Sequence, residues 1–135
     1  MKTNIGFGLT TQELSVPDEM VMGILRTNAV DIGLTGVEEV KRSLEEPIGT
    51  PRLSEIIKPG EKIVIITSDI TRPVPSYKII PAILDELYMA GVDKEDIKVI
   101  LALGSHRVHT EEEKLKLLGE RVYNEVECID SDSND

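Results

Sequence analysis

The sequence is short of sulfur, aromatic rings and positive charge. Among its 135 residues there is one cysteine, no tryptophan and 3% aromatic residues in all. The lone Cys128 leaves no intramolecular disulfide to form, so a reducing compartment and a cytoplasmic location are expected. So few rings exclude base-stacking platforms and aromatic carbohydrate clefts. Cations are outnumbered, with 15 Lys and Arg against 25 Asp and Glu and a formal charge of −10. A polyanion would meet a repulsive field unless those cations clustered, and no basic run occurs, which argues against a nucleic-acid partner. No apolar run approaches a bilayer span. The first six residues pass straight into polar and glycine positions, without the apolar stretch of a signal peptide, so no membrane partner is expected.

What is present is a globular composition with 40% apolar residues. A domain of this size buries roughly two-thirds of its unfolded surface and needs neither disulfide nor structural metal. The expectation is one α/β domain over residues 1–130, with 131–135 as a polar tail or the start of a linker. Near the N-terminus, Ile5, Phe7 and Leu9 alternate with Gly6 and Gly8, which predicts a half-buried strand. Thr10-Thr11 reads as a turn into a partner strand over 12–16, making an edge hairpin. Val37, Val40 and Leu44 recur at helical spacing and predict a helix near 36–46, closed by Pro47. Pro47 and Pro51 with Gly49 mark residues 45–51 as an internal linker.

The α/β grammar follows. Ile63-Val64-Ile65-Ile66 is a short β-branched run that reads as a strand buried on both faces of a parallel sheet. Ile79, Ile80, Ile83, Leu84 and Leu87 form a helical stripe ending at Gly91. Residues 97–103 predict a second buried strand, Thr110-Glu111-Glu112-Glu113 an acidic helix start, and residues 126–129 a further strand. The expected fold is therefore a mostly parallel sheet with flanking helices, Rossmann-like βαβ units and an N-terminal β-hairpin. The polar stretch 130–135 is expected to be loose.

Ligands in such sheets bind outside the carboxyl ends of the strands. Two distinctive loops fall there: Thr67-Ser68-Asp69-Ile70-Thr71-Arg72-Pro73 and Gly104-Ser105-His106-Arg107. If their strands are neighbours, Asp69, Arg72 and His106 converge. They supply an orienting acceptor, a fork for a carboxylate or phosphate, and a proton acceptor that works near neutral pH. The plainer alternative is that Asp69 and Thr71 make an Asx turn and cap a helix, with Arg72 as a solvated neighbour and His106 on the surface. His109, three residues after His106, could pair with it on a metal, but no matching Glu or Cys ligand accompanies it, and a place beside a helix N-cap fits better. Cys128 reads as inert core. Gly6-Phe7-Gly8 is not a phosphate loop, because no helix follows at the required spacing.

The two motifs together, Ser68-Asp69-Ile70-Thr71-Arg72-Pro73 and Leu103-Gly104-Ser105-His106-Arg107 followed by Thr110-Glu111-Glu112-Glu113, resemble the N-terminal domain of the nickel-pincer lactate racemase family. The resemblance covers nearly the whole chain. It implies a 2-hydroxy-acid racemase or epimerase working by proton-coupled hydride transfer. In that scheme a histidine takes the hydroxyl proton while the α-hydrogen leaves as hydride to nickel pyridinium-3,5-bisthiocarboxylic acid mononucleotide. It implies further that Asp69, Ile70, Thr71 and Arg72 contact the cofactor, that Arg72 also holds the substrate carboxylate, and that His106 is the first catalytic histidine. No residue here matches the second catalytic histidine, the cofactor-bearing lysine or the nickel ligand, so no metal ligand is expected in this chain. A C-terminal domain of the same polypeptide would supply them, and this domain alone would be inactive. Cys128-Ile129-Asp130-Ser131-Asp132 departs from the Asn-His-Asp pattern of many members. The competing reading is a non-catalytic module that binds a small anion through Arg72 and His106.

Overall fold

The structure is a computed structural model and describes residues 1–132. The chain divides into two compact units, Met1–Ile32 and the remainder from Gly33. The first unit is a hairpin of β1 (Lys2–Phe7) and β2 (Thr10–Ser15), antiparallel with Lys2 opposite Ser15 and Phe7 opposite Thr10. The reversal lies at Gly8 and Leu9, two residues ahead of the Thr10-Thr11 turn read from the sequence, and Gly8 takes a positive φ of 58°. The half-buried strand expected here is not half-buried. Ile5 and Phe7 are 47% and 69% exposed, and the pair forms its own two-stranded sheet rather than an edge of the main one. Two strands alone have no third layer with which to cover a face. Met1 ties back to this unit through its ammonium, which pairs with Asp18.

The second unit holds α1 (Gly36–Glu45), α2 (Leu53–Ile56), β3 (Ile63–Ser68), α3 (Ser76–Met89), β4 (Ile97–Ala102), α4 (Glu111–Glu125) and β5 (Glu127–Asp130). The strands form a parallel sheet in the order β3-β4-β5. Two-residue alternation sends Ile97, Val99 and Leu101 of β4 into the core. There they meet Ile80, Leu84 and Leu87 of α3 and Leu117, Leu118 and Val122 of α4. Each such side chain contributes about 1.5–3 kcal/mol relative to exposure.

The expectation that β3 is buried on both faces fails. Val64 and Ile66 are 54% and 70% exposed, while Ile63 and Ile65 pack on the core. Successive strands lie side by side, and crossovers of one hand deliver both helices to the same side of the sheet, so neither helix covers Val64 and Ile66. α3 ends as its sequence requires: Gly91, at φ 81°, donates to Tyr88 O, and Val92 donates to Leu87 O, closing a Schellman motif.

Asp130 and Ser131 are not loose. Ser131 continues the ladder, its N–H donating to Leu101 O at 2.9 Å and its hydroxyl accepting from Leu103 N–H at 2.9 Å. Asp132 is the last described residue, and residues 133–135 of the expected tail lie outside the described residues.

Candidate functional site

β3 and β4 are in register from Ile63 opposite Ile97 to Ser68 opposite Ala102, so the loops that leave them start side by side. Asp69 follows β3 directly and is buried. Its Oδ1 accepts from the Thr71 N–H at 3.2 Å and the Thr71 hydroxyl at 2.7 Å. That is the Asx turn of the plainer alternative, and it does not exhaust the carboxylate. Oδ2 lies 2.5 Å from His106 Nδ1, so the loops after the two strands are bridged. The Thr71 hydroxyl first, and His106 second, hold the Asp69 carboxyl down at about 2 against the penalty of burial.

His106 belongs to a turn in which its own N–H donates to Leu103 O. With Asp69 ionised, Nδ1 carries the proton and donates it to the carboxylate. Nε2 has no hydrogen-bond partner among the described residues, and the side chain is 52% exposed. This is an oriented, half-exposed imidazole whose basic nitrogen is free of protein partners among the described residues. Arg72 sits on the Asp69 loop, exposed, and among the described residues has neither hydrogen bond nor ion pair. Upstream, Ser68 Oγ accepts from Val74 N–H, and Thr67 and Ser76 hydroxyls meet at 2.6 Å, which fixes the loop's exit into α3.

Of the residues predicted from the sequence, Asp69, Thr71 and His106 come together. Ile70 turns its N–H away, to His109. Arg107 is drawn off to α4, where its guanidinium grips Glu113 with two bonds of 2.7 and 2.8 Å. Arg107 and the Thr110 N–H of the capping box hold the Glu113 carboxyl at about 2.

The His106–His109 metal pair does not form. His109 is sealed in, its Nδ1 2.6 Å from Asp130 Oδ1 and its Nε2 accepting from Ile70 N–H at 3.1 Å. No group of three His, Cys, Asp or Glu among the described residues could hold a metal ion. Cys128 is half-buried beside the core, and burial pushes its thiol up to about 11, which keeps it protonated. His109 lies next to the Thr110 N-cap of α4, as expected from the sequence, and its tie to Asp130 is what sequence reasoning missed. The available signal was an acid closing an apolar strand next to a strand whose following loop carries a histidine.

A family model for the lactate racemase N-terminal domain matches residues 7–135. The chain belongs to this family. It is 39% identical over 131 residues to the lactate racemase of Thermoanaerobacterium thermosaccharolyticum, a match covering 96% of this chain and 30% of that protein. It is 38% identical over 116 residues to the lactate racemase of Lactiplantibacillus plantarum, covering 84% of this chain and 27% of the relative. The solved structure of the T. thermosaccharolyticum lactate racemase apoprotein superposes with a TM-score of 0.80 at 37% identity, over 98% of this chain and 30% of that one. The chain thus spans less than a third of the length of the curated relatives it matches. The α/β fold with its parallel sheet and N-terminal hairpin is that of the lactate racemase structure. Among the described residues no helix is long and apolar enough to cross a membrane.

Proposed function

We propose that this chain is the N-terminal domain of a cytoplasmic 2-hydroxy-acid racemase or epimerase, with His106 as one of its acid–base groups. The observation that carries the reading is the Asp69–His106 pair at the ends of β3 and β4, with the His106 side chain half exposed, Nε2 free of protein partners among the described residues, and Arg72 on the Asp69 loop. In this reading Nε2 takes the proton of the substrate hydroxyl and later returns it. Asp69 keeps the ring oriented and balances the imidazolium that forms, while Arg72 grips the substrate carboxylate with two parallel N–H bonds.

The nickel-pincer nucleotide fits this loop in part. Arg72, with no polar partner among the described residues, suits an anionic phosphate or carboxylate, and the exposed Thr71 lies beside it. Asp69 and the Ile70 N–H are engaged within the protein and support that surface from beneath. The metal would be held by polypeptide outside this chain, since no ligand group exists among the described residues. When bound, the cofactor supplies an acceptor for the substrate's α-hydrogen. A further domain of the same polypeptide completes the site, in keeping with the greater length of the relatives.

The test is racemisation of a panel of 2-hydroxy acids by the cofactor-loaded full-length protein, wild type against His106→Ala. The variant is expected to lose roughly 10²-fold or more in kcat, the usual worth of a positioned acid–base group. Full activity in the variant would make His106 structural and favour an anion-binding module that depends on Arg72. A wild type inactive on the whole panel would remove this substrate class.

A further inference from the structure

The second histidine is an enclosed polar side chain for which the proposed chemistry has no use. The His109 side chain is 0% exposed and that of Asp130 10%. Every polar group of the pair is committed. One carboxylate takes both donors of His109, the ring Nδ1–H on Oδ1 at 2.6 Å and the backbone N–H on Oδ2 at 2.9 Å. Lys114 adds its ammonium 4.0 Å from Oδ2. With its proton held on Nδ1, the ring leaves Nε2 as an acceptor, and Nε2 receives the Ile70 N–H at 3.1 Å. No other acceptor for that N–H occurs among the described residues.

Ile70 directly follows Asp69, so this bond sets the plane of the peptide on which the Asx turn is built. The two loops of the site are therefore tied twice: at the surface by Asp69 and His106, and beneath by Ile70 and His109. Asp130, the last residue of β5, anchors the lower tie to the third strand. Without it the Ile70 N–H would be left half-buried and unpaired, and the loop would shift to find water.

We infer that His109, clamped by Asp130, is a positioning residue that fixes the Asp69–Thr71 turn through the Ile70 N–H and so sets the orientation of His106. The inference rests on the racemase reading only for its kinetic readout.

Two substitutions separate the roles of the ring. In His109→Gln the side-chain oxygen falls near the position of Nε2 and can still accept from Ile70. In His109→Asn the side-chain amide can still donate to Asp130 but is too short to reach Ile70. In the full-length protein the Gln variant is expected to keep kcat within about threefold, and the Asn variant to lose on the order of tenfold to a hundredfold with little change in KM, as a sub-ångström to ångström misplacement does. The second readout needs no cofactor. In ¹⁵N-histidine-labelled full-length protein, the His106 signal, assigned by its loss in His106→Asn, reports a fixed Nδ1–H tautomer in wild type and the Gln variant and a mixture in the Asn variant. Exchange of the Ile70 amide accelerates only in the latter.

Asp130→Asn is a further check should the Gln variant fold poorly. Its amide donates to Nδ1, drives the His109 proton to Nε2 and should reproduce the Asn phenotype at position 109. An unchanged His106 tautomer and Ile70 exchange in both Asn variants would overturn the inference, as would a Gln variant as impaired as His109→Asn. A loaded enzyme with no racemisation would defeat the functional reading alone, because the tautomer and exchange measurements still decide this one.

Discussion

Asp69 carries its charge far into acid because donors surround it: the Thr71 hydroxyl, His106 and the Thr71 N–H all hold the ionised form, leaving the carboxyl at about 2. The unfolded chain would titrate this group near 3.9. A carboxyl lowered on folding contributes stability that is complete above the unfolded value and is lost as pH falls through the folded one. Asp69→Asn keeps an oxygen for the Asx turn and removes the charge. Its deficit in urea midpoint relative to wild type is therefore expected to be constant above about pH 5, to shrink between pH 4 and 2, and to vanish below. Subtracting the variant also cancels Glu113, which titrates in the same range because of Arg107. A deficit that persisted at pH 2 would mean the Asp69–His106 contact is not ionic. Under the proposed function the same variant in the full-length protein should lower kcat by roughly 10²–10⁴, since the amide cannot balance an imidazolium.

At the scale of elements, α4 shows how a local rule is broken for packing. Gly119 interrupts the helix with φ 76° and ψ 160°, and a Cβ there would stand 3.2 Å from Tyr77 Cβ of α3. Gly119→Ala is expected to destabilise by roughly 1–3 kcal/mol by thermal or chemical denaturation. Measured in a Tyr77→Gly background, which removes the facing Cβ, Gly119→Ala should cost less but not nothing, because the backbone conformation stays unfavourable. A cost that vanished there would assign it to the side-chain clash alone. The strands and the helical stripe of α3 were legible because β-branched runs and three- and four-residue spacing report local preference directly. Whether Val64 and Ile66 are covered was not, since a run of four β-branched residues looks alike with one covered face or two. The same division holds at the site. Asp69 and His106 could be paired from sequence because adjacent strands of a βαβ unit end side by side. The His109–Asp130 tie and the diversion of Arg107 to Glu113 depend on which strand follows β4 and on where α4 starts.

The whole molecule limits the chemistry it can complete. The sequence has two histidines, and the fold commits them differently: the His106 side chain is half exposed with Nε2 unpartnered among the described residues, while both ring nitrogens of His109 are used inside. Inverting a carbinol carbon through a planar intermediate requires that a hydroxyl proton be taken and returned in the positions both enantiomers present. A single half-exposed histidine serves one of them. Under the proposed function the other group would come from a further domain, in keeping with the 30% and 27% of the lengths of its two racemase relatives that this chain spans. The purified 135-residue chain is therefore expected to fold, with the cooperative unfolding its core supports, yet to leave a pure enantiomer of a 2-hydroxy acid unchanged by chiral chromatography even with cofactor added. The full-length protein under the same conditions should drive it to an equal mixture. Racemisation by the short chain alone would mean that one histidine reaches both positions, and the two-sided account of the site would have to be abandoned.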